Sequence, residues 1–293
     1  MKRLSRSGKI FAAISLAILV LAGIGVLAAG VVQTEALIKH RAEQVLAAAC
    51  SAQAPRLPSD RRQESLPAPV RRWIEFTFRG GAALPRRIVR YQMEGRFRRP
   101  GSDSFEPMEA TQYIAAGRPA FVFEATTWMF PGFWARAMDA YVSGDMDMKA
   151  RILSTITAVD ETGDPALNQE SVQRYLLESV MVPSALLPSE RLHWEPINRR
   201  SAWAVMRHGG TEARYRVKFD DRGAIQSMRA PRDGSLDQPY HGAGEYAVRG
   251  SYKPVAGVMV PTEFEIARVI DGQIRPFWKG RVTKLDFDVV QLF

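Results

Sequence analysis

From Ile10 to Val32 the chain reads IFAAISLAILVLAGIGVLAAGVV, twenty-three positions without a charge. As a helix this stretch reaches about 34 Å at ~1.5 Å per residue, enough for a hydrocarbon layer of ~30 Å. A cleaved signal peptide has a shorter apolar region, about 7–15 residues, closed by a small-residue site. LAAG at 27–30 would serve as such a site, but the length of the run favours a retained transmembrane helix. Residues 33–50 hold few helix breakers and continue as a juxtamembrane helix. The polar stretch 51–66, with Pro55 and Pro58, reads as a linker.

In LPAPVRRWIEFTF, Pro67 or Pro69 suits a first helical turn. Val70, Trp73, Ile74 and Thr77 share one face of that short helix, and Arg71, Arg72 and Glu75 take the other. From residue 86 the period drops to two. Val89, Tyr91 and Met93 oppose Arg90, Gln92 and Glu94, and in TEARYRVKF Ala213, Tyr215, Val217 and Phe219 oppose four charged neighbours. Further strands are expected near 106–114, 119–128, 134–142, 145–158, 191–197, 201–208, 224–230, 243–252, 258–269 and 276–288. Turn signals at HGGT (208–211), DDRG (220–223), VAGV (255–258) and DGQ (271–273) separate the later ones. Short turns between consecutive strands make an antiparallel meander.

One helix interrupts the strands. Asn168 is its expected N-cap, with Glu170 in the first turn, and Pro183 ends it after about 169–182. Val172, Tyr175, Leu176, Ser179, Val180 and Val182 form a broad face, while Leu177 and Met181 carry apolarity almost to the back. Arg174 and Glu178, four apart, fill the narrow polar stripe and can pair. A helix this apolar all round is enclosed by protein. The fold class that follows is mainly β (α+β): a curved antiparallel sheet or incomplete β-barrel, plugged by a buried helix and preceded by one N-terminal transmembrane helix. The division is a basic tail at 1–9, the transmembrane helix at 10–32, a juxtamembrane helix and linker at 33–66, and the half-barrel domain at 67–293.

Charge adds orientation. Of the net +9, Lys2, Arg3, Arg6 and Lys9 supply four, and from residue 10 onward thirty-six cations face thirty-one acids. Those later cations are scattered as pairs such as Arg86-Arg87 and Arg199-Arg200, with no basic helix or zinc framework, so no nucleic-acid partner is expected. The four cations before the span, against Lys39 and Arg41 after it, keep the N-terminus in the cytoplasm and the domain outside the inner membrane. The single cysteine, Cys50, excludes an intramolecular disulfide. VLAAAC at 45–50 is no lipoprotein site, because charged residues separate it from the apolar run.

The order of LPAPVRRW, GRF, FVFEA, DAYVSG, RYLLESVMVPSALLPSERLHWEPI, GEYAVRGSYKPVAGVMVPTEFEI and PFWKGRV resembles a bacterial family defined only as a domain of unknown function. The resemblance covers about residues 65–288 and is most specific over 174–197. Asp145, Met146 and Asp147 depart from the glycine and small residues common after YVSG in that family. The closing strand-VAGVMVP-strand pattern also looks like the lipoprotein-carrier class of folds, which implies, as an analogy, a half-barrel with an apolar concave face plugged by helices.

Candidate chemistry is sparse. His40, His193, His208 and His241 make no metal motif, and neither a nucleophile elbow nor a phosphate loop is present, so no cofactor or metal is expected. His241 and Glu245 in YHGAGEY would share a strand face as base and orienter or as two metal ligands, the alternative being a glycine-rich hairpin or bulge whose polar residues face solvent. Asp139, Asp145 and Asp147 read as surface carboxylates near a turn. The tip WMFPGFW at 128–134 places Pro131-Gly132 at a type II turn among large aromatics, which cap the barrel, touch the bilayer or rim a ligand portal. The reading that joins these features is a membrane-anchored extracytoplasmic module for a lipid-like or other apolar ligand. Its expected contacts are Trp128, Phe130, Trp134, Tyr175, Met181 and Leu186. The alternatives are an enzyme using His241 and Glu245, and a structural or interaction domain with a fully packed core.

Overall fold

The computed structural model describes residues 6–79, 84, 87–234 and 243–289. Helix α1 (Arg6–Ser51) runs unbroken through the apolar stretch and on to the end of the juxtamembrane segment. Its first part is long and apolar enough to cross a membrane, and the large apolar side chains from Ile10 to Val26 are exposed. The short helix α2 (Asp60–Glu64) and helix α3 (Ala68–Thr77) follow. Pro69 sits in the first turn of α3, and Val70, Trp73, Ile74 and Thr77 all face inward as their spacing requires.

Fifteen strands follow: β1 (Ile88–Phe97), β2 (Glu106–Ala115), β3 (Phe121–Phe130), β4 (Phe133–Val142), β5 (Asp145–Ile152), β6 (Ile156–Thr162), β7 (Leu192–Asn198), β8 (Ser201–His208), β9 (Thr211–Phe219), β10 (Ile225–Arg229), β11 (Glu245–Gly250), β12 (Lys253–Val255), β13 (Val258–Val260), β14 (Glu263–Ile270) and β15 (Gln273–Phe287). Thirteen of them form one curved antiparallel sheet in the order β6-β5-β4-β3-β2-β1-β15-β14-β11-β10-β9-β8-β7. Two meanders are thus joined at their middle by the pairing of β1 with β15, and β12 with β13 forms a separate small hairpin. The expected strand at 145–158 is two strands, β5 and β6, because the chain turns at 153–155. The expected 258–269 strand is likewise split at Pro261, whose missing N–H cannot join a ladder.

The segment between β6 and β7 lies at opposite edges of the sheet at its two ends, so it must cross the concave side. It does so as helix α4 (Pro165–Glu178) and two 3-10 turns, Ser179–Met181 and Pro183–Leu186. The helix starts four residues before the expected position. Asp164 is the N-cap, accepting from the backbone N–H groups of Ala166 and Leu167 at 2.8 and 2.9 Å, with Pro165 pre-set for the first turn. Asn168 instead accepts from the Met146 backbone at 2.8 Å and ties α4 to the β4–β5 turn. At the other end the Ser179 hydroxyl donates back to the Tyr175 carbonyl, and the helix tightens before Pro183.

The concave face is covered, and so is the convex face of the first meander. The concave face, with Tyr91, Met93, Ile114, Phe121, Tyr141, Tyr215 and Phe219, packs with α3, α4 and the 3-10 turns into the main core. On the convex face, Ile88, Tyr113, Val122, Met138 and Ala140 pack against Ile38, Ala42, Val45 and Ala49 of α1. With Gly30 and Thr34 these residues make one stripe at spacings of four, four, four, three and four, all buried. Arg41 clamps the stripe to β5 by its 2.6 Å ion pair with Asp147, and Glu35 pairs with Arg136 of β4 at 2.8 Å. Asp147 is therefore no surface carboxylate: it is buried in the seam. Replacing Ala42 with Asp would place an unpaired charge in that apolar contact. We expect trypsin to cut the Ala42→Asp protein rapidly at Lys39 and Arg41 while the wild-type chain resists; equal cleavage would show that the helix is not docked.

Candidate functional site

The interface between α4 and the concave face is unusually charged for a core. Arg174 lies buried at its centre. It forms an ion pair with Asp139 of β4 and a 3.2 Å pair with Glu178 one turn on, and its guanidinium stacks over Phe121 and Phe123 at 5.0 and 4.7 Å. The Arg174–Glu178 stripe is thus present but faces the sheet rather than solvent. Asp139, expected at the surface, is buried because it belongs to the inward-facing set of β4 with Tyr141. Burial alone would depress the Arg174 guanidinium; the charges of Asp139 and Glu178 outweigh it and raise its pKa above the ordinary value.

Around this pair stand groups from both meanders. Tyr91 of β1 donates to Glu178 at 2.9 Å, and Tyr215 of β9 donates to Glu245 of β11. Burial, and then the neighbouring carboxylate, push both phenols well above their usual range, so they act as O–H donors. Arg249 of β11 reaches the Leu177 carbonyl at 3.3 Å and lies over Phe264; burial lowers its pKa. Tyr175 donates to the Ala115 carbonyl at 2.6 Å, and Trp194 donates to that of Leu186 at 3.0 Å. The plug is latched by polar contacts along its whole length.

Not every polar group there is matched. Gln112 of β2 is 1% exposed, yet neither its Oε1 nor its Nε2 makes a hydrogen bond among the described residues. The same holds for Arg249 Nε. A buried polar atom left unpaired costs about 1–3 kcal/mol.

Of the residues expected to contact ligand, Tyr175, Met181 and Leu186 fall together in this core, at 1%, 2% and 0% exposure. Trp128, Phe130 and Trp134 lie apart, at the β3–β4 tip. Phe130 stacks on Phe133 at 4.5 Å, and Trp128 meets Trp134 at 6.2 Å. Gly132 has φ +78°, as the second central residue of a type II turn requires. Trp128 faces an open groove of about 1010 Å³ that also touches Arg96, Phe105, Lys279 and Arg281. His241 lies outside the described residues. Glu245 is fully buried against Tyr215, not on a solvated hairpin.

Sequence reasoning missed Gln112, Arg249 and Arg268, the last a buried residue of β14 opposite Glu245, and misplaced Asp139. In β11 the alternation gives Glu245, Ala247 and Arg249 one face and Tyr246 and Val248 the other. The charged face is the one that goes inward, leaving Val248 partly exposed. The only available signal was the pair of oppositely charged residues on a shared face. We expect Arg174→Met, which strands Asp139, to destabilise the domain by about 3–5 kcal/mol, and Arg174→Met with Asp139→Leu to recover most of that loss. Denaturation of the detergent-solubilised chain measures both; a single-variant loss below about 1 kcal/mol would mean the pair is solvated.

Among solved structures, a LolA superfamily protein from Nitrosomonas europaea superimposes with a TM-score of 0.38 at 8% identity, over 78% of this chain and 96% of that one. None of the curated proteins matches. A family model matches residues 64–287, which include every strand of the sheet, α3 and the plug, and the chain accordingly belongs to that Family of unknown function (DUF6920).

Proposed function

We propose that the protein is a single-pass, membrane-anchored module that accepts an amphiphilic, lipid-like ligand on the concave face of its sheet. The N-terminus lies in the cytoplasm and the sheet domain on the other side of the inner membrane. Support for the anchor comes from the length, apolarity and exposure of the first part of α1 and from the four cations before residue 10.

The observation that carries the ligand reading is the unmatched polarity beneath α4. Gln112 and Arg249 hold donors and an acceptor that the plug leaves unused, in a face otherwise lined by aromatic and aliphatic side chains. Such groups are rare in cores that serve packing alone. An apolar chain with a polar head would meet both requirements once α4 moved aside, with Tyr175, Met181 and Leu186 as contacts in the opened site. The plug is one continuous connection between edge strands and can move as a unit, a movement that requires the Arg174 and Glu178 contacts to open together. A second reading, a structural domain that binds nothing, is favoured by the near-complete burial of those same three side chains.

Gln112→Leu separates the two. Removing an unpaired buried amide should leave the fold as stable or stabilise it by about 1–2 kcal/mol. Under the ligand reading it also weakens uptake of an environment-sensitive fluorescent fatty acid severalfold. Native mass spectrometry of the gently solubilised chain should find bound lipid mass in the wild type. Absence of that mass, with no uptake of the probe by either protein, would leave only the structural reading.

A further inference from the structure

We infer that the β3–β4 tip, Trp128–Trp134, inserts into the bilayer leaflet from which α1 emerges, as a second membrane contact beside the anchor. This rests on the reading of α1 as a retained membrane span. Its geometry comes from where the sheet touches that helix. Gly30 lies inside the apolar run, yet it is already packed against the β5–β6 turn. A Cβ there would stand 2.6 Å from Thr155 Oγ1 and 2.7 Å from the Ser154 carbonyl oxygen, so only glycine permits the approach. One turn on, Thr34 donates to that same carbonyl at 3.3 Å. The β5–β6 turn therefore sits at the height where α1 leaves the hydrocarbon.

The direction is equally constrained. At its far end α1 brings Cys50 to Arg87, and Ala52 and Gln53 follow beside Gly117 in the β2–β3 turn, at the opposite end of the strands. From there the helix descends along the sheet toward the 153–155 and 131–132 turns, and these turns point the way the anchor goes. Trp134 Nε1 donates to Ser154 Oγ at 3.3 Å, which puts Trp134 level with the α1 contact. Phe133 and Gly132 extend past it by about 7 Å at ~3.4 Å per residue. With Trp134 level with the point where α1 leaves the hydrocarbon, the turn beyond it passes under the headgroup layer, roughly 5–8 Å deep, and enters the outer part of the acyl layer.

The chemistry of the tip fits that position. WMFPGFW carries no charge, and Trp128, Phe130 and, on the neighbouring turn, Ile156 are 41%, 58% and 59% exposed. Its backbone is paired through Trp128↔Trp134 and Phe130↔Phe133, and Pro131 has no N–H to leave unsatisfied in lipid. Immediately behind the aromatic residues come the ion pairs of Arg136 with Glu35 and Glu124, at headgroup height. Phenylalanine at the tip, tryptophan behind it at the interface and charge behind that is the order a membrane-inserting turn requires. Trp128 and Trp134 also alternate onto the convex face with Met138 and Ala140, so the sheet itself separates them from the concave core. They are not the lip of that site.

The test uses the full chain with Cys50→Ser, reconstituted into phosphatidylcholine–phosphatidylglycerol nanodiscs. Single cysteines replace Phe130, Ile156 or, as a control at the other end of β4, Asp145, each carrying an environment-sensitive fluorophore. Labels at 130 and 156 should be blue-shifted and quenched severalfold more by lipids bearing a shallow nitroxide than the label at 145, which aqueous iodide quenches instead. Having two test sites guards against a local defect at either. If the protein stays in the bilayer through alkaline extraction but iodide reaches all three labels equally, this inference fails and the anchor stands. Release by alkaline extraction overturns the anchor reading, and this inference with it.

Discussion

A curved sheet of thirteen strands that does not close into a barrel has two apolar faces to remove from water, and the only other sheet among the described residues is the two-stranded β12–β13 hairpin. Everything else in this fold answers that requirement. The concave face is covered by α3 and by the connection that has to cross it, the 29-residue passage from edge strand β6 to edge strand β7. The convex face is covered by α1 over the strands of the first meander. Because the plug is a crossover and not an added domain, its length and helix count are dictated by the width of the sheet. A helix of about 14 residues spans roughly 21 Å, and the two 3-10 turns complete the crossing to β7.

Covering the concave face with a helix that carries Arg174 and Glu178 creates an electrostatic demand. A lone buried guanidinium is prohibitive, so each inward charge draws another: Asp139 on β4 for Arg174, Tyr91 on β1 for Glu178, Tyr215 and Arg268 around Glu245. The resulting network joins strands from both meanders to α4, and it fixes the rotation of the helix more tightly than apolar packing would. The interface is imperfect: Gln112 on β2 and Arg249 Nε on β11 make no hydrogen bond among the described residues.

What could be read from the residues divides along the same line. The meander, the anchor-length apolar run, α3 and the enclosure of the helix near 170–182 were legible because each depends on local periodicity. So was the Pro131-Gly132 turn, whose conformation two residues specify. The face of α1 was not. Gly30, Thr34, Ala42 and Ala49 are small, and within an already apolar or alanine-rich helix they make no amphipathic contrast; only the opposing sheet identifies them. Asp139, Asp147 and Glu245 were misplaced for a related reason. A carboxylate on a strand is read as solvent-facing unless its partner is known, and the partners Arg174, Arg41 and Tyr215 lie 35, 106 and 30 residues away. The N-cap at Asn168 failed to a nearer competitor: Asp164 before Pro165 is the stronger start, and it freed Asn168 to bind the β4–β5 turn.

The unbroken course of α1 joins these two levels. A domain on a flexible tether can tumble, and its distance from the bilayer is set by linker length. Here the residues that would form a tether, 33–50, are helical and bound into the convex seam by Arg41–Asp147 and Glu35–Arg136. On the proposed reading, any tilt of the membrane span is transmitted to the sheet as a rigid rotation, and the strands keep a constant angle to the bilayer. The plug is attached to the opposite face and touches that mount at the Ala115 carbonyl, which accepts from Tyr175. Displacing α4 would break the Arg174 network without loosening the anchor, whereas loosening the anchor would expose Tyr113, Val122 and Met138 without touching the plug. On the proposed reading, the two faces of one sheet thereby separate the holding of a position from the holding of a ligand.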